Sequence, residues 1–389
     1  MRGGQERQAA MLTTLVPEDF VRDGHPIRRV KETVDRVLGE LSPVFDSMYA
    51  ETGRPSVPPE HLLKASLLMA LFSVRSERQF EDRLRSDLMF KWFLDLNIET
   101  PAFDASTFSK NRQRLLEHDV ARQFFLRVTG EARRLGLLSD EHFSVDGTLL
   151  EAWASMKSFT PRDRHPDGDV TPASPTGLGW EPDGGAGSGT CGVDAGEGRN
   201  EEVDFRGQKR SNATHQSTTD PEARLARKGP GKEARLSYAG HVVIENRNGL
   251  VVDATLTQAT GTAEEEAAIG MLKGIPGRKR ISVGADKGYD TDNFVDSCWF
   301  MNVRAHVAQK KRSALDGRTT RHAGYAASQR ARKRVEEVFG WMKTVGGARK
   351  LRYKGVGRNG QWFNLLAAAY NLVRMSRLLA PPRPAVAAA

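Results

Sequence analysis

The chain has 389 residues, a net charge of +9, and 39% hydrophobic against 28% charged residues, the balance of an ordinary globular protein with room for two or three domains. It has no uncharged apolar run of about eighteen residues, and no apolar stretch followed by a small-residue cleavage site near the N-terminus; this argues against a membrane span and against secretion. With only Cys191 and Cys298, a disulfide framework and a zinc cluster are both excluded, and a reducing cytoplasm is expected.

Residues 1–135 read as helical. From Pro26 to Tyr49, Ile27, Val30, Val34, Val37, Leu38 and Leu41 recur at helical spacing. Pro58 and Pro59 mark a helix start before the apolar run Leu62 to Val74. A third helix is predicted over Ser76 to Leu94, with Phe80, Leu84, Leu88 and Trp92 four residues apart. Asp104 then caps a short helix, Ala105 to Leu116, whose polar-basic face carries Lys110, Arg112 and Arg114; such a face suits a DNA groove or a solvated bundle surface.

A strand over Phe143 to Leu150 opens the second half. The stretch from about 157 to 236, with GGAGSGT at 184–190, is too polar and Gly-rich to bury much apolar surface, so it reads as a flexible insertion within a domain. Strands at His241–Asn246 and Leu250–Leu256 flank an Asn248-Gly249 hairpin signal. There follow a helix at Thr262–Lys273, a strand at Arg280–Ala285, a helix at Asp292–Met301 and a strand at Val303–Val307. A helix at Ala326–Thr344 and an apolar one at Trp362–Leu379 close the order. This is an α/β protein: a mixed sheet with flanking helices in ribonuclease H-like order, preceded by an all-helical N-terminal domain. The expected domains are 1–135 and 136–379, with a disordered tail at 380–389.

Three acids stand out. Along the first strand Ser144, Asp146 and Thr148 share one face, and Asp286 ends the strand Ile281–Ala285 on its non-apolar side, with Gly284 leaving room beside it. If these strands are neighbours, two carboxylates approach closely, which needs a cation between them. On the helix near 336, Arg332, Glu336 and Lys343 project from one face, with Glu337 rotated away. Oxygen ligands of this kind suit magnesium or manganese, and a pair of such ions promotes in-line phosphoryl displacement. Between Arg304 and Arg358 there are sixteen Lys and Arg against three acids, so the remainder of the chain is net acidic. A basic concentration of this kind is the footprint of a polyanion, and Arg349, Lys350, Arg352 and Lys354 form its densest part. Lys287, Tyr289 and Asp290 read as solvated loop residues, His241 as structural, and Trp299 and Trp341 as core or boundary packing.

FSVDGTLLEAWAS at 143–155, VGADKGYDT at 283–291 and SQRARKRVEEVFGWMK at 328–343 resemble the DDE transposases of bacterial insertion sequences, in the branch with a Tyr-Arg-Glu-Lys signature. GRPSVPPEHLLKASLLMALFSVRSERQFEDRLRSD at 53–87 and DFRGQKRSNATHQSTTDPEAR at 204–224 are similar to other parts of that branch. The resemblance spans roughly 20–378 and implies a metal triad of Asp146, Asp286 and Glu336, with Arg332 and Lys343 contacting the DNA backbone. It also implies two Mg2+ or Mn2+ ions and double-stranded DNA partners (terminal inverted repeats and target DNA). A homodimer on DNA, at the bacterial nucleoid, is expected with them. The signature tyrosine position holds Gln329, with Tyr325 one turn earlier. A nuclease of the same fold that never joins strands, and a non-catalytic DNA-binding regulator, are the alternatives.

Overall fold

The structure, a computed structural model, describes residues 15–50, 52–53, 55–162, 203–205, 208–229, 231–276 and 280–381. The Gly-rich run at 184–190, Cys191 and residues 382–389 lie outside them. Six helices come first: α1 (Pro26–Ser47), α2 (Pro59–Leu71), α3 (Glu77–Ser86), α4 (Leu88–Phe93), α5 (Ser106–Glu117) and α6 (Val120–Arg134). The helix expected over Ser76–Leu94 is two helices. Asp87 adopts extended backbone, and its carboxylate accepts from the Met89 and Phe90 amides, so it starts a new helix instead of continuing the old one. The cap of α5 is Ala105, not the expected Asp104; Asp104 stands one residue before it, where its Oδ1 accepts from the Ser106 amide at 2.6 Å.

The strands are β1 (His142–Glu151), β2 (Phe159–Pro161), β3 (Val203–Phe205), β4 (Gln208–Arg210), β5 (His215–Ser217), β6 (Arg224–Ala226), β7 (Arg235–Glu245) and β8 (Val251–Gln258). After α7 (Ala263–Lys273) come β9 (Ile281–Ala285), α8 (Asp292–Phe300) and β10 (Val303–Val307). The chain finishes with α9 (Gly317–Arg321), α10 (Ala323–Ala331), α11 (Val335–Thr344) and α12 (Val356–Leu378). The main sheet runs β10-β9-β1-β7, and both β8 and β6 pair with the outer edge of β7. β1, β7 and β8 are antiparallel, while β9 and β10 run parallel to β1. This is the mixed sheet of a ribonuclease H-like fold. Gly249, at a φ of 70°, makes the predicted β7–β8 turn, a conformation glycine adopts without steric cost.

Each face of the sheet buries its own core. Phe143, Val145, Val243, Val283 and Val307 pack on one side with Met271 of α7 and Phe294 of α8. On the other side Leu150, Leu236 and Leu256 join Leu366 of α12 and, through it, Val34, Leu67 and Phe124 of the N-terminal helices. Helical region and sheet therefore share a continuous apolar core.

The stretch read as irregular is partly built into this fold. β5 pairs with β2, and β6 with β7. Between them buried Asp220 accepts from the Tyr238 hydroxyl at 2.7 Å and the Gly355 amide at 3.1 Å, and Glu222 accepts from the Val356 amide. These carboxylates satisfy orphan amides at the start of α12, where the helix dipole also favours negative charge. No helix among the described residues is long and apolar enough to cross a membrane.

Candidate active site

β1 and β9 lie side by side, paired in parallel from His142–Ser282 to Ser144–Gly284. Two residues further along each strand, where the pairing ends, stand Asp146 and Asp286. Both are half-buried. Asp286 caps the 3-10 turn Lys287–Tyr289, its Oδ1 accepting from the Gly288 amide at 2.7 Å; Asp146 Oδ1 accepts from the Gly147 amide at 2.8 Å. Burial, reinforced by the negative charges of Asp286 and Glu264, pushes the Asp146 carboxyl up to about 7, against the Gly147 hydrogen bond and the Arg332 charge. The cleft is thus short of positive charge, which is the electrostatic condition that a bound cation relieves.

Glu264 is the acid that the sequence left among three glutamates at a helix start. It comes from the opposite face: a side-chain carbon on Gly147 would lie 2.9 Å from Glu264 Oε1 and 3.0 Å from His241 Nδ1. The glycine after Asp146 was the available signal, since it allows α7 to approach the strand closely. His241 is a buried strand residue whose Nε2 pairs with the Thr257 hydroxyl at 2.8 Å, as its apolar neighbours suggested.

The segment from α10 to α11 borders β1. Ser328 Oγ is 2.7 Å from His142 Nε2, Lys343 donates to Thr148 Oγ1 at 2.5 Å, and Lys350 lies 3.7 Å from Glu151. Arg332 lies near enough to Asp146 to oppose its upward shift. Gly284 leaves room for this helix and not for an acid: a side-chain carbon there would meet Ser328 Oγ at 3.0 Å and its carbonyl at 3.3 Å.

The expected single helix over Ala326–Thr344 is interrupted by a 3-10 turn at Arg332–Arg334. Arg332 and Lys343 remain beside the Asp146 end of β1, whereas Glu336 is exposed. Among the described residues no group of three or more His, Cys, Asp or Glu is arranged to hold a metal ion. Asp146 and Asp286 come together in the sheet; Glu336 does not complete a cluster with them. By donor chemistry the aspartate pair fits a hard divalent cation. Glu337 faces away, 3.5 Å from Arg374 of α12.

Several neighbouring expectations change. Tyr289 and Asp290 are not solvated: Tyr289 is buried against Phe294, and Asp290 accepts from Lys310, Ser313 and Ala314 to hold the loop after β10. Trp299 is 68% exposed rather than packed, while Trp341 does pack, edge-on to Tyr370. Gln329 takes up the signature tyrosine's place by donating to the His306 carbonyl, and Tyr325 donates to the Val307 carbonyl at 2.8 Å; both fasten α10 to the ends of β9 and β10.

The basic residues divide in two. Arg112 pairs with Glu77 and stacks 4.2 Å from the Tyr353 ring, Arg114 stacks on Tyr49, and Arg352 donates to the Val74 carbonyl while lying over Trp362. These three hold elements together. Lys110, Arg349, Lys350 and Lys354 are exposed.

Residues 15–114 match a family described as Transposase domain (DUF772), and residues 211–372 match one described as Transposase DDE domain. Over residues 211–372 the chain is thus similar to a DDE-type transposase domain. The match takes in Asp286, Glu336 and Lys343 and begins after Asp146. Among solved structures, the piggyBac transposase synaptic complex with hairpin DNA is 8% identical, at a TM-score of 0.37 over 91% of this chain and 75% of that one. A pre-cleavage Mos1 transpososome is 11% identical, at a TM-score of 0.19 over 84% and 82%. The transposase family matches, and not these distant likenesses, tie the chain to DNA transposition.

Proposed function

We propose that the protein is a transposase that binds the ends of its mobile element, cleaves a DNA strand and joins the freed 3′-end to target DNA, acting as a dimer on DNA. The observation that carries this reading is the aspartate pair on adjacent parallel strands, with Asp146 pushed up to about 7 by burial and by the neighbouring acids Asp286 and Glu264, inside a chain with transposase family matches.

Asp146 and Asp286 would hold divalent cations, magnesium or manganese, and Glu336 is the candidate third ligand. When bound, such cations supply Lewis acidity for activating the attacking oxygen and stabilising the leaving oxygen of an in-line displacement. Lys343 and Arg332, placed along β1 beside the acids, would bind and orient the phosphodiester as charged donors. The acids act without forming a covalent bond to DNA, so no serine or tyrosine nucleophile is needed. The helical region carrying Lys110, as the domain at 1–135, would contact the element ends.

Strand-cleavage and mobility-shift assays on Asp146→Asn test the reading. Cleavage should be abolished and duplex binding kept; cleavage near the wild-type rate refutes the assignment. Glu336→Gln and Glu264→Gln, assayed side by side, decide which glutamate serves as the third acid. Failure to join a 3′-end to target DNA while cleavage persists would reduce the activity to that of a nuclease.

A further inference from the structure

α10 lies across the face of the sheet and divides it. Tyr325, Gln329 and Arg332 are on the side of the strand ends that carry the carboxylates. On the other side, Ala327, Ser328, Ala331 and Arg334 border a groove of about 970 Å3 over the beginnings of β1, β9 and β10. The two sides follow from helical periodicity, since 325, 329 and 332 recur at i, i+4, i+7, and 327, 331 and 334 repeat that spacing two residues on, about 200° around the helix. From His142, in the groove wall, to Asp146 is four residues of β1, about 13 Å at strand rise.

Among the described residues the groove is basic by arginine alone. Arg247, Arg280, Arg304, Arg330 and Arg334 line it, no described lysine does, and the single acid among the described lining residues is Glu141, 3.9 Å from Arg247. Arg334 donates to the Asn246 and Arg247 carbonyls and so anchors the wall. Arg280, Arg247 and Arg330 are exposed, and Arg304 is half-buried. Arginine forks match the oxygens of a phosphodiester with two parallel donors, and they cost less to desolvate than ammonium groups.

A second, independent feature lies in the same groove. His306 is only 4% exposed and lines the cavity, yet neither of its ring nitrogens has a hydrogen-bond partner among the described residues. A buried polar group left so is costly. Burial, with the charges of His142, Arg304 and His322, lowers its pKa to about 4, so the ring is neutral and presents one N–H and one lone pair.

We infer that this arginine groove is a second DNA-backbone site, in which a phosphodiester strand lies across α10 from the carboxylates and His306 hydrogen-bonds to it from the floor. The inference rests on the transposase reading for the identity of its polyanion. Its geometry gives the domain a hold on DNA about 13 Å from the acids, on the same sheet face. An acidic protein segment is the competing occupant.

The test uses the full chain without divalent cation, so that cleavage plays no part. Binding of a fluorescein-labelled random-sequence duplex is followed by anisotropy over a range of salt. Arg280→Gln/Arg304→Gln/Arg330→Gln should weaken binding at least tenfold and flatten the slope of log affinity against log salt by about 0.9 for each phosphate no longer neutralised. His306→Phe should weaken binding on the order of fivefold, as for one missing hydrogen bond, with the slope unchanged. Wild-type binding with an unaltered slope in the triple variant overturns the inference and leaves the transposase reading standing. Absence of any wild-type DNA binding removes that reading too. Binding of poly-glutamate that the triple variant loses, with DNA binding retained, assigns the groove to an acidic protein partner instead. If the triple variant does not fold, Arg330→Gln alone, at an exposed helical position, should still lower the slope by about 0.9; an unchanged slope there is equally fatal.

Discussion

The Lys343 ammonium donates to the Thr148 hydroxyl at 2.5 Å, which ties the last turn of α11 to the strand position two residues beyond Asp146 on the same face. Burial lowers the Lys343 pKa, helped by the charges of Lys228 and Arg349 and opposed by Asp146. The fold thus gains little from its charge. Lys343→Met, which keeps the length and the apolar stem, is expected to alter stability by no more than about 1 kcal/mol. Cleavage should nevertheless fall roughly 100-fold, the usual effect of losing one charged donor at a transferring phosphoryl group. Urea melts and single-turnover cleavage, measured together, check this; a slow enzyme that is also unstable would make Lys343 a structural residue.

Asp146 predicts a pH-dependent penalty. Its carboxyl stands at about 7 in the folded protein against an ordinary 3.8, so between those values the folded state binds a proton that the unfolded state has released. Stability without divalent cation therefore falls as pH rises from about 4 to 7. Asp146→Asn removes the charge. It should be more stable than the wild type at pH 8 by a few kcal/mol, since each pH unit between the two values is worth about 1.4 kcal/mol, and the advantage should vanish near pH 4. Magnesium should close the gap at pH 8 by stabilising the wild type alone. Melting curves at pH 4 and 8, with and without the ion, read both effects. A wild type that loses nothing between those pH values would mean that the cleft already supplies enough positive charge.

Much of this site was legible because it depends on period-two alternation. Asp146 and Asp286 share a face with small residues on short β-rich runs, and the strand pairing followed. The position of Glu336 was not legible. A helical period over Ala326–Thr344 puts Arg332, Glu336 and Lys343 on one face and does not say which of them the sheet covers. Glu264 was hidden for a related reason: its relation to Asp146 passes through Gly147 and exists only when α7 lies on the sheet. Asp220 and Glu222 read as loop acids because the amides they satisfy, at Gly355 and Val356, are more than a hundred residues away. The same distance effect separates Arg112 and Arg352 from the exposed lysines, since sequence shows their charge and not the aromatic rings they lie on.

That division among the basic residues is testable. Arg352→Ala loses the hydrogen bond to Val74 and the stacking on Trp362, two links between the helical region and the α12 side of the sheet. It should cost about 2–3 kcal/mol of stability and leave the salt dependence of DNA binding alone. Lys350→Glu and Lys354→Glu, both at exposed positions, should do the reverse: melting within about 0.5 kcal/mol of wild type and a shallower salt slope for every DNA sequence alike. A sequence-selective loss would place base reading in this segment instead.

The helical region has its own electrostatic centre. Lys64, almost wholly buried, lies 2.5 Å from Asp95 and also contacts Asp35, and Lys31 is 2.6 Å from each of the two aspartates. Burial pushes the Asp95 carboxyl up, but the Lys64 and Lys31 charges and hydrogen bonds outweigh it and hold the group below 3.8. For Lys31, burial lowers the pKa and the two aspartates raise it further, to a net position above 10.5. The Asp95 contribution is therefore complete above pH 3.8 and lost as pH falls through its folded value; the Lys31 contribution is complete below pH 10.5 and lost as pH rises through its own. Asp95→Asn leaves two buried ammonium groups short of a counter-charge and should cost about 3–5 kcal/mol at pH 7. As pH falls through the lowered Asp95 value the difference should shrink, because the wild-type carboxyl then protonates as well. Lys64→Met with Asp95→Asn together should recover part of the loss, since the double change removes the stranded charge at Lys64. Chemical denaturation across the acid, neutral and alkaline ranges measures all three arms, and an Asp95→Asn variant as stable as the wild type at pH 7 would show that Asp35 alone suffices as counter-charge for both lysines.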